Sequence, residues 1–238
     1  MNVVIPMAGQ GSRFREAGYT LPKPLLQAHG KTLLEWSVDS LPLALATRLI
    51  FIGLKEHRDA YDLEAMIRKI YAAHDPVFLW LDQTTRGQAE TVYLARELMD
   101  PQQGLMIFNI DTAFFAPDLS TLLIDDQHDG LLGSFGSIEP RFSFARVGED
   151  GYVTEVREKV AISSHALTGL YHFSSTQDFL DVAGKALEQD EREMGEFYVA
   201  PLYNQLIARG AKFRIAPCRD HWILGTPAEY QQFLLCIK

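Results

Sequence analysis

Short apolar runs alternate with helical patterns over the first 135 residues, and this rhythm restricts the available folds more than any other feature. VVIPMA (3–8), RLIFIGL (48–54), PVFLWL (76–81), GLMIFNID (104–111) and DGLLGSF (129–135) read as strands. Between them, LLEWSVDSL (33–41) sets Leu34, Val38 and Leu41 on one helical face. HRDAYDLEAMIRKIY (57–71) repeats apolar residues at Leu63, Met66, Ile67 and Ile70, and GQAETVYLAREL (87–98) does so at Val92, Ala95 and Leu98. Strands and helices in alternation form βαβ units, so the expected class is α/β with a mostly parallel mixed sheet flanked by helices.

After about Gly136 the pattern changes. FSFARVGEDGYVTEVREK (142–159) reads as a hairpin turning at Glu149-Asp150-Gly151, and ALTGLYHF (166–173) as a strand. Helical stretches follow at 174–190 and 197–210, then a strand at 212–218 and an amphipathic helix at 227–237. No Ser/Gly tract, Pro run or charge block divides the 238 residues. One domain is expected, 1–238, with a core of nucleotide-type fold in 1–135 and a lid or substrate region added to the same sheet in 136–238.

The longest apolar runs fall far short of the ~18 residues of a membrane span, and nothing resembles the basic start of a signal peptide. Cys218 and Cys236 are the only cysteines, which gives neither a disulfide framework nor a metal motif; a reducing cytoplasm is the expected setting. A net charge of −9 argues against a nucleic-acid partner held through its phosphates. It leaves room for a small phosphorylated ligand, because local cations decide that. The seven histidines show no metal-type pairing, and no G-x-S-x-G elbow points to a hydrolase.

The local cations stand at the start of the chain. Gly9-Gln10-Gly11 follows the first strand directly, where glycines let the backbone approach a ligand and exposed N–H groups form an anion-binding concavity. An ordinary strand-to-helix turn is the plainer reading. Phe14 occupies the third glycine position of a dinucleotide fingerprint, and no Gly-Lys-Ser/Thr of a Walker loop is present. Arg13 and Lys23 add positive charge, and Pro22 and Pro24 stiffen the backbone around Lys23.

The motif G-x-G-S-R-F followed by P-K-P-L-L resembles the signature of the sugar-phosphate nucleotidyltransferases, the nucleoside-diphosphate-sugar pyrophosphorylases. It is most similar to the short bacterial branch associated with capsule and lipopolysaccharide precursors. The resemblance continues through TRGQAET (85–91), FNID (108–111), EVREK (155–159), GLYHF (169–173), GEFYVAPLYN (195–204) and WILGTPAEY (222–230). It implies a single-domain Rossmann-like nucleotidyltransferase fold and attack of an acceptor phosphate on the α-phosphorus of a nucleoside triphosphate, releasing pyrophosphate. Such chemistry asks mainly for positioning and charge stabilisation.

By the same resemblance, backbone around Ala8, Gly9 and Gly11 would hold the nucleotide. Arg13 would meet its β/γ-phosphates, and Lys23 the α-phosphate. Gly87 would let the base approach, with Gln83 reading its edge. Glu158 would hold an acceptor hydroxyl and Lys159 the acceptor phosphate, although an exposed Glu-Lys pair contributes little by itself. Asp111, after a parallel strand, would bind Mg²⁺, whose hard-oxygen preference it suits; a turn-capping role is the plainer reading. Arg86 reads as a surface cation, and Glu196 as the anion opening a helix.

One departure stands out. Many members carry a second metal-binding acid in a W-x-D stretch, whereas this chain has Trp222-Ile223-Leu224-Gly225-Thr226. Asp220 is the nearest carboxylate and the candidate for that place. Two other readings remain: a nucleotide-sugar-binding glycosyltransferase, for which Asn109-Ile110-Asp111 supplies only one acid of Asp-x-Asp, and a non-catalytic sugar-nucleotide sensor. The sequence specifies neither the base (a pyrimidine is favoured), nor the acceptor, nor the oligomeric state.

Overall fold

The computed structural model describes residues 1–236. β1 (Asn2–Pro6) leads through the glycine loop to α1 (Ser12–Glu16), a ribbon of β2 (Gln27–Ala28) and β3 (Lys31–Thr32), and α2 (Leu33–Val38). Then come β4 (Arg48–Leu54), α3 (Lys55–Tyr61), α4 (Leu63–Ile70), β5 (Val77–Leu81), α5 (Gln88–Leu94) and β6 (Leu105–Phe108). β7 (Thr112–Phe115), α6 (Leu119–Leu123) and β8 (Gly130–Gly136) complete the first half. The second half holds β9 (Ser143–Val147), β10 (Val153–Glu158), β11 (His165–Phe173), α7 (Thr176–Glu188), α8 (Tyr203–Ile207), β12 (Phe213–Pro217), β13 (Arg219–Ile223) and α9 (Pro227–Cys236).

One mixed sheet joins both halves. Its main path runs β10-β9-β11-β6-β1-β4-β5, with β8 and β12 branching from β11. β6, β1, β4 and β5 pair in parallel, whereas β11 runs antiparallel to β6, β8 and β9. Central parallel strands are buried on both faces, and successive side chains alternate between the two sides of the sheet. Val4, Ile50 and Ile52 pack on one side with α5 and α7 residues such as Val92 and Phe179. Val3, Ile5, Leu49 and Phe51 pack on the other with Leu34 of α2, Ile67 of α4 and Leu119 of α6.

Three details differ from the sequence pattern. The helix expected over 57–71 is broken at Asp62, whose φ of 49° ends α3 and starts α4; Asp tolerates this left-handed conformation better than most residues. Residues 197–210 form a 3₁₀ turn at Ala200–Leu202 before α8, with Pro201 in its first turn. β13 pairs antiparallel with β7 in a separate ribbon that the periodicity does not announce. The expected closing helix fits α9, and its final residue, Ile237, lies outside the described residues. Among the described residues no helix is long and apolar enough to cross a membrane.

Candidate active site

The carboxyl ends of β1, β5 and β6 lie at one edge of the sheet, where open α/β folds bind ligands. The loops that follow them form one wall of a cleft of about 710 Å³, and the second half supplies the other. Ala8, Gly9, Arg13, Gly87, Asp111, Glu158 and Lys159 line this cleft. Gly11 and Lys23 line an adjoining recess of about 300 Å³, which shares Gly9, Arg13, Asp111 and Gly225 with it. Gln83 and Asp220 are exposed and on neither wall.

The nucleotide-type wall is built locally. Gly11 adopts φ 59° and accepts hydrogen bonds from the Phe14 and Arg15 N–H groups at 3.0 and 3.2 Å, turning the chain tightly into α1. Phe14, the residue that breaks the dinucleotide fingerprint, is buried edge-on against Tyr19 and Tyr230 at centroid distances of 5.4 and 6.2 Å. It fastens α1 to α9. Pro22 (φ −61°) leads into a 3₁₀ turn in which Lys23 is buried, its side chain only 10% exposed. A buried ammonium requires a partner. Lys23 Nζ donates to Asp111 Oδ1, so the chemistry-bearing residues of the first and sixth strands' loops are joined directly.

The loop after β5 is seated by close backbone approach. A Cβ at Gly87 would stand 2.4 Å from the Phe197 nitrogen and 2.5 Å from its carbonyl oxygen. Phe197 N–H donates to the Arg86 carbonyl (3.1 Å), and Ala89 N–H donates to the Phe197 carbonyl (2.8 Å). Gly87 thus lets two backbone segments from opposite halves zip together beside the cleft. Arg86 pairs with Glu90 at 2.6 Å and lies 4.9 Å over the Phe197 ring, which makes it a fastener of this zip. Gln83, expected to read a base edge, falls outside; Thr84, Thr85 and Gln88 line the cleft from that loop, and Gln88 Nε2 donates to Asn109 Oδ1.

The acceptor-type wall gathers residues distant in sequence. The open end of the β9–β10 hairpin brings Ser143 against Glu158, whose buried carboxylate accepts the Ser143 hydroxyl. Burial raises the Glu158 carboxyl above its ordinary value, opposed by the Ser143 hydrogen bond and the Lys159 charge. Lys159 sits at φ 54°, with its N–H donating to the Phe142 carbonyl (3.0 Å). Its ammonium donates to Tyr198 Oη at 2.6 Å, and this bond holds its pKa above the usual lysine value against partial burial. Tyr198 Oη in turn donates to Glu196 Oε1 at 3.1 Å. Glu196 therefore belongs to the cleft wall in a turn ahead of the 3₁₀ segment, not to a helix start.

The β7–β13 ribbon completes the site. Leu224 N–H donates to the Asp111 carbonyl at 2.6 Å, which brings Gly225 beside the Asp111 side chain. Leu224 is fully buried among Phe14, Tyr230 and Phe233, so an acid at this position would stand in a hydrophobic cluster. Asp220 is four residues away with φ 43°, exposed, and does not serve as the second acid of the cleft. Glu229 is the carboxylate present. Its Oε2 and Asp111 Oδ2 lie 3.6 and 3.7 Å from the point where a Gly225 Cβ would stand. Arg141, which lines the cleft from the β9 side, pairs with Glu229 Oε1 and with Glu139 at 2.8 Å.

Four cations and four carboxylates thus line the cleft and its recess in a chain whose net charge is −9. The model of the MobA-like NTP transferase domain matches residues 3–132. The chain belongs to this NTP transferase family. A nucleoside-diphosphate-sugar pyrophosphorylase from Vibrio cholerae RC9 is 37% identical, with a TM-score of 0.83 over 98% of this chain and 99% of that one. The protein is accordingly a nucleotidyltransferase of the pyrophosphorylase type. Two more distant NTP transferase structures share the fold. The inositol-1-phosphate CTP transferase of T. maritima has TM-score 0.77 and 14% identity, covering 98% of this chain and 94% of that one. A UDP-glucose pyrophosphorylase complexed with UDP-glucose has TM-score 0.77 and 15% identity, covering 98% and 97%. No curated protein sequence matches this NTP transferase.

Arg141, Tyr198 and Glu229 are site residues that sequence reasoning missed. Glu229 had a signal, since Thr226-Pro227-Ala228-Glu229 has the spacing of a capping box, but that pattern points first to a structural role.

Proposed function

We propose that this nucleotidyltransferase condenses a pyrimidine nucleoside triphosphate, CTP or UTP/dTTP, with a sugar 1-phosphate or similar small phosphate ester. An oxygen of the acceptor phosphate attacks the α-phosphorus, the bond to the β-phosphate bridging oxygen breaks, and pyrophosphate leaves. The observation that carries the reading is Lys23, a buried ammonium on a proline-stiffened turn at the glycine loop, paired with Asp111 where a triphosphate would lie. Arg13, on the same wall, would hold the β/γ-phosphates, with backbone at Ala8, Gly9 and Gly11 approaching the nucleotide. Glu158 and Lys159 would hold an acceptor hydroxyl and phosphate on the facing wall. The similarity to a CTP transferase and to a UDP-glucose-binding enzyme supports the pyrimidine and the phosphorylated acceptor.

The donor set fits Mg²⁺. Asp111 offers a hard oxygen, and Glu229 Oε2 is buried with no hydrogen-bond donor, an arrangement that favours a cation nearby. A divalent cation there would neutralise triphosphate charge as it develops on the leaving group. The products suit surface-polysaccharide precursor synthesis in the cytoplasm.

Thermal unfolding with CTP, UTP, dTTP, ATP, GTP and NAD, each with and without Mg²⁺, tests this. A ligand at ~100 times its Kd adds about 2.7 kcal/mol, so one pyrimidine triphosphate should raise Tm by several degrees. Stabilisation by a nucleotide-sugar but by no triphosphate would instead support glycosyl transfer or sensing.

A further inference from the structure

The sequence T-x-x-E occurs at the start of two helices, and the two copies behave differently. At α2, Thr32 and Glu35 form the full reciprocal box. Glu35 N–H donates to Thr32 Oγ1 at 3.1 Å, and Glu35 Oε2 accepts from the Thr32 N–H and hydroxyl at 2.8 Å each. At α9 only half of the box is present. Glu229 N–H donates to Thr226 Oγ1 at 3.3 Å, but the Glu229 carboxylate does not return to the cap. It turns into the cleft instead, giving Oε1 to Arg141 and leaving Oε2 buried and without a donor beside Gly225 and Asp111.

A helix-capping role does not account for that orientation, and the Arg141 pair accounts for only one oxygen. The cleft's two neighbouring carboxylates share a pattern: each is neutralised by a protein cation, Asp111 by Lys23 and Glu229 by Arg141. Both cations line the ligand space themselves, Lys23 in the recess and Arg141 in the cleft. Glu139, the other partner of Arg141, is exposed and pairs with it at the surface.

We propose that Glu229 is the second carboxylate for the nucleotide's divalent cation, in place of an acid at position 224, and that Arg141 is a positioning residue released from it toward the acceptor phosphate. This rests on the metal-dependent transferase reading above. Glu229 and Arg141 then form an exchange pair. When Glu229 takes up the cation, Arg141 loses its inward partner and presents its guanidinium to the facing phosphate, a geometry the planar fork of arginine suits. The exchange orders the sites, with the metal–nucleotide bound before the acceptor finds its full set of cations.

The test is Mn²⁺ binding by the full chain, read by electron paramagnetic resonance with CTP, UTP and dTTP in parallel, without acceptor. Glu229→Gln should weaken nucleotide-dependent Mn²⁺ binding at least tenfold, as Asp111→Asn should, while Asp220→Asn leaves it unchanged. Arg141→Gln should tighten Mn²⁺ binding several-fold, because its competitor for Glu229 is gone, and should raise acceptor KM. A merely structural Arg141–Glu229 pair would not give this opposite-signed pair of shifts. If Asp111→Asn weakens Mn²⁺ binding and Glu229→Gln does not, the Glu229 assignment is overturned and the transferase reading stands. If Arg141→Gln leaves Mn²⁺ affinity unchanged or weakens it, the exchange is overturned. If none of the three nucleotides supports Mn²⁺ binding to the wild type, the metal-dependent reading beneath both has failed.

Discussion

The two walls of the cleft are built on different principles. The nucleotide-type wall hangs on parallel strands whose carboxyl ends share one edge, so Gly9, Gly11, Arg13 and Lys23 arrive within one short segment. The acceptor-type wall is assembled from antiparallel pairings, with Arg141 and Glu158 near the open end of one hairpin and Tyr198 from a later turn, and Glu229 reaches Arg141 from α9 across the cleft. A local wall fixes the reaction type; an assembled wall can change its partner one element at a time while that chemistry stays in place.

This contrast can be tested by substitution. The largest effect should come from Lys23→Ala, which removes the buried cation of the local wall. Its kcat should fall roughly 10²–10³-fold, as for loss of one transition-state donor, in a pyrophosphate-release assay. Glu158→Gln should act on the other wall only, raising acceptor KM by roughly 10–100-fold for a lost charged hydrogen bond. Nucleotide affinity measured by calorimetry should stay unchanged; a loss of nucleotide affinity would show that the walls are not separable. Gly87→Ala should strike the zip between them. Its Cβ would meet Phe197 backbone, so stability should fall by about 1–3 kcal/mol and Tm by several degrees.

A smaller effect concerns pH. The Glu158 carboxyl is raised in the folded protein, mainly by burial, so the folded state holds that proton more tightly than the unfolded one. Its contribution is full below the ordinary glutamate value of about 4.3 and is lost as pH rises through the raised value. Urea midpoints of the wild type should therefore decline relative to Glu158→Gln over that window, and parallel curves would contradict the assignment. The smallest effects are expected outside both walls, where Gln83→Ala and Asp220→Asn should change stability by less than about 0.5 kcal/mol and leave kcat/KM intact.

The same contrast explains what the sequence revealed. The strand–helix rhythm of the first half and the local cation cluster are short-range patterns, so the sheet, the loop and the Lys23 neighbourhood were readable. The placement of Asp111 followed because a residue after a parallel strand falls at a known edge. Glu229 and Arg141 were hidden because their meeting depends on the β7–β13 ribbon, whose short strands carry no distinctive periodicity. Asp220 stands near Trp222 along the chain, but it is exposed, with φ 43°, and lines neither the cleft nor its recess. The break at Asp62 was likewise invisible to periodicity, since the apolar residues Leu63, Met66, Ile67 and Ile70 all lie after it and the turn before it buries no side chain.

The most direct test of nucleotidyl transfer is product analysis with the wild-type protein, Mg²⁺, each pyrimidine triphosphate and a panel of sugar 1-phosphates and phosphorylated alcohols. Pyrophosphate and a nucleotidyl-linked acceptor should appear in equal amounts, one per triphosphate consumed, and only when both substrates are present. Release of a nucleoside diphosphate from a nucleotide-sugar, with no pyrophosphate from any triphosphate pair, would contradict nucleotidyl transfer at this cleft.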